Sequence, residues 1–251
     1  MIKVILSGCG GRMGKAVAAA VGNEARIVAG VDVNAASINA SDFPIYESIT
    51  EFSDKADVIV DFSHHSALPS LLDYAKATKT PVVVATTGHT DEELALMREA
   101  ASEVAIFHSG NFSIGINLII NLAKQAARTL GADFDIEIIE KHHNKKLDAP
   151  SGTALMIANA VADEREESEY IYDRHSVRKA REPKEIGIHS VRGGSIVGEH
   201  EVIFAGANEV VSISHSAASR EIFANGALRA AIYLAGKSAG LYSMTDLIEG
   251  K

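Results

Sequence analysis

The residues with the most chemistry to offer lie in one run, Glu140-Lys141-His142-His143-Asn144-Lys145-Lys146-Leu147-Asp148-Ala149-Pro150-Ser151-Gly152-Thr153. It crowds lysines and histidines together in a chain whose formal net charge is −9. An imidazole exchanges protons near neutral pH, so a histidine here is a candidate proton donor or acceptor. Ser151, Gly152 and Thr153 follow a proline and open a helical pattern. Backbone N–H groups and hydroxyls at a helix start make an anion site. Together these features suit a small substrate bearing carboxylates. Lys141, Lys145 and Lys146 are expected to disfavour a charged histidine in the empty site, and a bound dicarboxylate to favour it. Two other readings stand beside this one. Basic runs are often solvated turns. Zinc is the sharper alternative, but adjacent histidines lack the i, i+4 spacing of a helical zinc pair and the single cysteine, Cys9, is distant. No metal is expected.

A second constellation, Gly8-Cys9-Gly10-Gly11-Arg12-Met13-Gly14, separates the apolar strand pattern of residues 4–6 from a helical one. Glycines let the chain turn tightly and let a pyrophosphate approach bare backbone, while the helix start supplies oriented N–H groups. The strict G-x-G-x-x-G register fails at Met13, whereas Gly8, Gly11 and Gly14 fit a variant spacing. The phosphate-loop NTPase pattern fails at Cys9 and Ala16. A glycine-rich turn without a ligand is the plain alternative. Asp32 weighs against it, ending the next strand pattern about 20 residues on, where a carboxylate accepts from adenosine ribose hydroxyls. Val33-Asn34-Ala35-Ala36 follows, with no arginine or lysine for a 2′-phosphate. NADH is therefore expected to serve at least as well as NADPH. Three further polar loops are expected at strand ends: Ala85-Thr86-Thr87-Gly88, Ser109-Gly110-Asn111-Phe112-Ser113 and Asp61-Phe62-Ser63-His64-His65. Phe112 is expected to cover a flat ring. For His64 and His65 a structural role at the loop end is expected ahead of cofactor contact.

These residues need a scaffold, and the apolar pattern describes one. Short apolar runs at 4–6, 27–31, 58–60, 81–85 and 104–107 alternate with helical patterns over 12–21, 66–77 and 91–102. Strands buried on both faces and separated by helices mean βαβ units and a parallel sheet. The expected class is α/β, a doubly wound Rossmann-type sheet. Beyond residue 110 the texture changes. Helical patterns cover 117–130 and 153–162, and strand patterns cover 134–140, 186–191, 199–204 and 210–215. This predicts a second α+β domain with a mostly antiparallel open sheet and no crossover helices. Acidic residues over 163–169 and basic ones over 174–184 predict an exposed, mobile excursion. The alanine-rich stretch 220–238 predicts one long helix returning to the first domain. The expected boundaries are 1–113, completed by 220–251, and 114–219.

Composition sets outer bounds. At about 150 residues per domain, 251 residues leave room for one large domain or two modest ones. A hydrophobic fraction of 47% with 23% charged residues is ordinary for a globular chain. One cysteine excludes a disulfide scaffold. No apolar run approaches the ~20 residues of a membrane span. The acidic balance disfavours a protein that coats nucleic acid or an anionic membrane. The first residues are too short an apolar run for a signal peptide, so a cytoplasmic protein is expected and the glycosylation sequons at Asn39 and Asn111 are chance matches.

Several strings, in order, carry a resemblance. The loop Gly11-Arg12-Met13-Gly14, then Thr86-Thr87-Gly88, Asn111-Phe112-Ser113, the string from Glu140 to Thr153, Gly198-Glu199-His200, and Ser219-Arg220 through Phe223-Ala224-Asn225-Gly226-Ala227 resemble the 4-hydroxy-tetrahydrodipicolinate reductase family. This family, formerly called dihydrodipicolinate reductase, serves the diaminopimelate route to lysine. The resemblance spans nearly the whole chain. It implies reduction of 4-hydroxy-tetrahydrodipicolinate to tetrahydrodipicolinate by NADH or NADPH with loss of water. By position it implies that Gly8, Cys9, Gly10, Gly11, Arg12 and Met13 bind the dinucleotide phosphates and that Asp32 holds the adenosine ribose. Ala85, Thr86 and Thr87, with Ser109, Gly110, Asn111 and Phe112, would border the nicotinamide half. It implies His142 as proton donor or acceptor with Lys146 as its acidic partner, and His143, Gly152 and Thr153 as the grip on the substrate carboxylates. It also implies a homotetramer built through the sheet of the second, substrate-binding domain. Two positions depart from the pattern: Ala85 stands where the family often has glycine, and Val33 where some members have arginine after the acidic residue. A different amino-acid or sugar dehydrogenase on the same plan, and a non-catalytic dinucleotide-binding regulator, are the rival readings.

Overall fold

The computed structural model describes residues 1–38 and 42–250, so the sequon at Asn39 lies outside the described residues. The chain divides into two units, Met1–Ile114 with Glu221–Lys251, and Gly115–Arg220. Elements are numbered along the chain, so those of the second unit take the intervening numbers.

The first unit contains β1 (Ile2–Ser7), α1 (Arg12–Ala20), β2 (Ala25–Val31), β3 (Ile45–Tyr46), β4 (Val58–Asp61), α2 (Leu68–Thr78), β5 (Val82–Val84), α3 (Asp91–Ala100) and β6 (Ala105–His108), then α6 (Glu221–Leu234), β12 (Gly240–Tyr242) and α7 (Met244–Glu249). Its seven strands run in the order β12-β6-β5-β4-β1-β2-β3, every pair parallel. The central strands are fully buried runs of Val, Ile and Leu, because helices cover both faces. Side chains alternate between the faces. Leu6, Val60, Val83 and Phe107 meet Val17 of α1 and Ala227 and Leu234 of α6. Ile5, Ile59, Val82 and Ile106 meet Leu71 and Leu72 of α2 and Met97 of α3. The strand order reverses between β1 and β4, and a doubly wound sheet offers its ligand crevice at the carboxyl ends there. The long C-terminal helix ends at Leu234, earlier than its alanine-rich pattern predicts, and β12 and α7 follow. Neither β3 nor β12 shows in the pattern, since two or three residues are too few to display alternation.

The second unit contains α4, which begins at the boundary (Ile114–Leu130), β7 (Asp135–His142), α5 (Gly152–Ala162), β8 (Glu169–Ile171), β9 (Glu185–Arg192), β10 (Gly198–Ala205) and β11 (Val210–Ala217). The sheet order is β11-β10-β7-β9-β8. The β10 pairings with β7 and β11 are antiparallel, while β7–β9 and β8–β9 are parallel. The sheet is therefore mixed where the pattern predicts mostly antiparallel pairing. The reason is α5, which lies between β7 and β9 in sequence and so serves as a crossover. Its Ile157 and Val161 pack with Ile119 and Ala123 of α4 on Ile136, Ile138, Val202 and Phe204 of the sheet.

The expected excursion is exposed over 172–180, and it carries structure of its own. Glu169–Ile171 adds an edge strand to β9, and two arginines fasten the segment after it. Arg174 reaches Glu185 at 2.5 Å and Glu137 at 2.7 Å. Arg181 reaches Asp135 at 2.6 Å and Glu137 at 3.1 Å, and donates to the carbonyls of Ile136, Glu182 and Glu185. A charge run reads as solvated only while its partners, here on β7 and β9, are out of view.

Candidate active site

In the first unit the loop after β1 is shaped by backbone geometry. Gly8 has φ +74°, and a Cβ there would stand 2.5 Å from the Phe62 carbonyl oxygen. A Cβ on Gly14 would overlap the Gly8 carbonyl, so α1 packs directly on the loop. Gly11 caps α1 without a side-chain bond, and the first turn holds no acidic residue. Oriented N–H groups are thus left facing outward at the positive end of the helix. Asp32 follows β2. Its carboxylate accepts from the Gly10 N–H at 3.0 Å and the Asn34 N–H at 2.9 Å. A cavity of about 520 Å³ lined by Gly8, Asp32, Asn34, Phe62 and His64 lies on one side. Another of about 740 Å³, lined by Gly10, Lys15, Asp32 and Ser37, lies on the other. A bare-backbone cradle, a helix start and a ribose-length carboxylate beside open cavities fit a dinucleotide.

The remaining loop residues divide by side chain. The Cys9 thiol is buried, and burial pushes its pKa up, so only its backbone faces the loop. Thr86 spends its hydroxyl on the buried Asp61 carboxylate at 2.7 Å, and Asp61 also accepts from the Ser63 N–H. Ser109 accepts from the Asn111 N–H, and Asn111 Oδ1 accepts from the Ser113 N–H, so these side chains brace their own loop. Phe112 is a correction. Its ring is buried between Phe62 and Phe107 in the core and does not lie free to cover a ligand ring. An aromatic side chain beside a buried apolar sheet gains more from that burial than from solvent. His64 Nδ1 accepts from the Ser66 N–H and lies 2.9 Å from the Ser66 hydroxyl, which places it at the loop end, while His65 pairs with Glu93 at 2.8 Å.

In the second unit the parity of β7 sorts the basic string. Ile136, Ile138 and Glu140 are buried toward the helices, and His142 follows on the same face. Lys141 falls on the opposite face and pairs with Glu199 at 3.0 Å. Glu140 is fully buried yet ionised. Arg192 of β9 donates to both its oxygens, at 2.6 and 2.8 Å, and the Ser151 N–H donates at 3.1 Å. Burial raises its pKa, but hydrogen bonds from Arg192, His142 and Ser190 overcome that and hold it down at about 2. His142 Nδ1 lies 2.6 Å from the remaining reach of this carboxylate. Because an ionised carboxylate only accepts, Nδ1 carries the hydrogen and Nε2 is the exchangeable position. Gly198 leaves space beside Nε2, a Cβ there standing only 3.1 Å away. The nearest charge to His142 is thus the Glu140 carboxylate.

Lys146 lies in the loop before α5 and pairs with Asp148 at 2.8 Å. His143 is half-exposed. Ser151 caps α5 by accepting from the Ala154 N–H, and Gly152 and Thr153 form the first turn, which carries no acidic residue. His200 of β10 stands edge-on to His142 with ring centres 5.3 Å apart, and its Nε2 lies 3.1 Å from the Ser151 hydroxyl. Burial, then the neighbouring His142, lower its pKa to about 4, so it stays neutral. The structure thus gathers His142, Lys146, Gly152 and Thr153 around one end of the second sheet, and adds Glu140, Arg192 and His200. Glu140 had a signal in the sequence, a carboxylate on the inward side of an alternating strand. His200 stood in the Gly198-Glu199-His200 string of the resemblance without an assigned role, and Arg192 had no signal beyond its type.

A doubly wound sheet with a glycine loop at its first crossover and an acidic residue after β2 defines a nicotinamide-dinucleotide-dependent oxidoreductase. Family profiles described as dihydrodipicolinate reductase, N-terminus and C-terminus, match residues 2–112 and 115–248, and the chain belongs to that family. It is 54% identical over 99% of both chains to 4-hydroxy-tetrahydrodipicolinate reductase of Caldanaerobacter subterraneus subsp. tengcongensis. It is 52% identical over the full length of both to the protein of that name from Clostridium novyi. Among solved structures, dipicolinate-bound dihydrodipicolinate reductase from Paenisporosarcina sp. TG-14 superposes with a TM-score of 0.78 at 26% identity, covering 97% of each chain.

Proposed function

We propose that this chain reduces 4-hydroxy-tetrahydrodipicolinate to tetrahydrodipicolinate, with loss of the ring hydroxyl as water, in the diaminopimelate route to lysine. The observation that carries the reading is the second unit's pairing of an ion-held imidazole with an uncapped-by-acid helix start, a proton donor beside a carboxylate site. Full-length similarity to reductases of that name supports it. When bound, the reduced nicotinamide supplies the hydride. The chain's residues do the rest. The α5 start, with Gly152, Thr153 and His143, binds the two carboxylates. His142 gives a proton from Nε2 to balance the arriving negative charge, since Nδ1 is engaged by Glu140. Lys146 assists as the second acidic group. Gly8 to Met13 hold the dinucleotide phosphates and Asp32 the adenosine ribose, with backbone of the 85–87 and 109–112 loops beside the nicotinamide half. A biosynthetic reductase draws on the cytoplasmic pool of reduced nucleotide, and the family reading carries a homotetramer joined through the second sheet.

No basic residue follows Asp32, so both NADH and NADPH are substrates and NADH is at least equal. Loss of absorbance at 340 nm with freshly generated 4-hydroxy-tetrahydrodipicolinate, run with each nucleotide in turn, tests both parts. No loss with either nucleotide removes the reaction. A ten-fold or greater preference for NADPH removes only the cofactor assignment.

A further inference from the structure

We propose that Glu140 is a positioning residue for the reduction, one buried carboxylate that fixes both the proton donor and the start of the substrate-binding helix. The proposal rests on reading His142 as that donor. Glu140 leaves no side-chain surface to solvent, so it acts only through what it touches. One of its oxygens, Oε2, lies 2.6 Å from His142 Nδ1. The other, Oε1, accepts from the Ser151 N–H at 3.1 Å, the backbone that opens α5. Arg192 bridges the two oxygens and also donates to the Asp148 carbonyl at 2.8 Å, pinning the loop that carries Lys146. A donor and an anion site from separate stretches of chain are therefore held in register by a single group.

The arrangement has a chemical consequence. The carboxylate forces the hydrogen onto Nδ1, leaving Nε2 to deliver the proton. His142 meets Glu140 on its own strand and His200 on β10 and stands in register with Arg192 on β9, while Lys146 and Asp148 pair with each other in the loop before α5. Arg192 and Lys146 are already matched by carboxylates, and His200 is neutral, so Glu140 is the group whose removal changes the charge balance at His142.

Glu140→Gln keeps the shape but presents an amide to Nδ1. Turnover is expected to fall about 10²-fold, within the usual range for an impaired general acid. Dipicolinate binding, read by calorimetry, is expected to weaken by less than ten-fold. Wild-type turnover overturns the proposal, as does a loss confined to dipicolinate affinity. If the variant does not fold, ¹⁵N spectra of the wild-type histidines at alkaline pH decide, with His142 assigned by its absence in His142→Gln. An Nδ1–H tautomer supports the positioning role and an Nε2–H tautomer overturns it. His142→Gln with undiminished turnover would defeat the reading of the site, whereas a crippled His142→Gln beside an intact Glu140→Gln defeats the positioning alone.

Discussion

At the scale of single residues, the two histidines of the basic string have different standing. His142 is mostly buried, with one nitrogen bound to an ionised carboxylate and the other beside the gap left by Gly198. His143 is half-exposed at the strand end. Only the first is held in one tautomer, and a general acid needs that definition. His142→Gln is expected to lower turnover ~10²–10⁴-fold while leaving dipicolinate affinity within a few-fold, since the anion site is made by α5. Parallel turnover and calorimetric titrations check this, and turnover within two-fold of wild type would retire the assignment. The string itself was legible as chemistry because it departs from the acidic balance of the chain. Which of its members meet was not. Lys141 and His142 are neighbours in sequence but lie on opposite faces of a strand, and the decisive partner, Arg192, lies 50 or so residues on, in the paired strand.

At the scale of elements, the parallel sheet of the first unit followed directly from its buried apolar runs, as Val58–Val60 and Val82–Val84 show. The second sheet followed only in part. Its strands announce themselves by alternation, but direction depends on which strands become neighbours, and β7 pairs with β9 across a helix and a long ion-paired segment. That segment is where element-scale energetics can be tested. The Arg181 side chain is only 17% exposed and serves two carboxylates and three carbonyls of β7, β9 and its own loop. Hydrogen bonds to charged groups are worth about 1.5–3 kcal/mol when they are lost. Arg181→Ala is expected to lower the melting temperature by about 4–8 °C in a chain of this size. Trypsin is expected to cut within 172–184 faster than in wild type, while dipicolinate affinity stays unchanged because α5 is not part of the network. A melting temperature within 1 °C of wild type would show that the arginine does not fasten the segment.

At the scale of the whole molecule, the buried ionisable groups set how stability depends on pH. Burial lowers the pKa of His108, His200 and His215 below the ordinary 6.5, His200 to about 4. In the unfolded chain these imidazoles bind protons from about pH 6.5 downward, while the folded chain resists. Their contribution is therefore complete above 6.5 and is lost as pH falls toward 4. For His200, which is 5% exposed, the full loss is of order 3 kcal/mol. Glu140 and Glu185 are held down at about 2, by Arg192 and by Arg174 respectively, against an ordinary 4.5. Their contribution is complete above 4.5 and is lost between there and 2. One effect opposes this. The net charge of −9 shrinks on acidification, which relieves self-repulsion. At 0.15 M salt, however, exposed charges farther apart than about 8 Å are largely screened, whereas the buried imidazoles are not. The histidines therefore win. The melting temperature at 0.15 M salt is expected to be flat from pH 8 to 7, to fall from about 6.5, and to fall more steeply below 4.5. His200→Phe is expected to flatten the slope between 6.5 and 4.5 relative to wild type. A wild-type melting temperature that holds or rises between pH 6.5 and 5 would mean that the surface charge, and not the buried imidazoles, governs the acid limb.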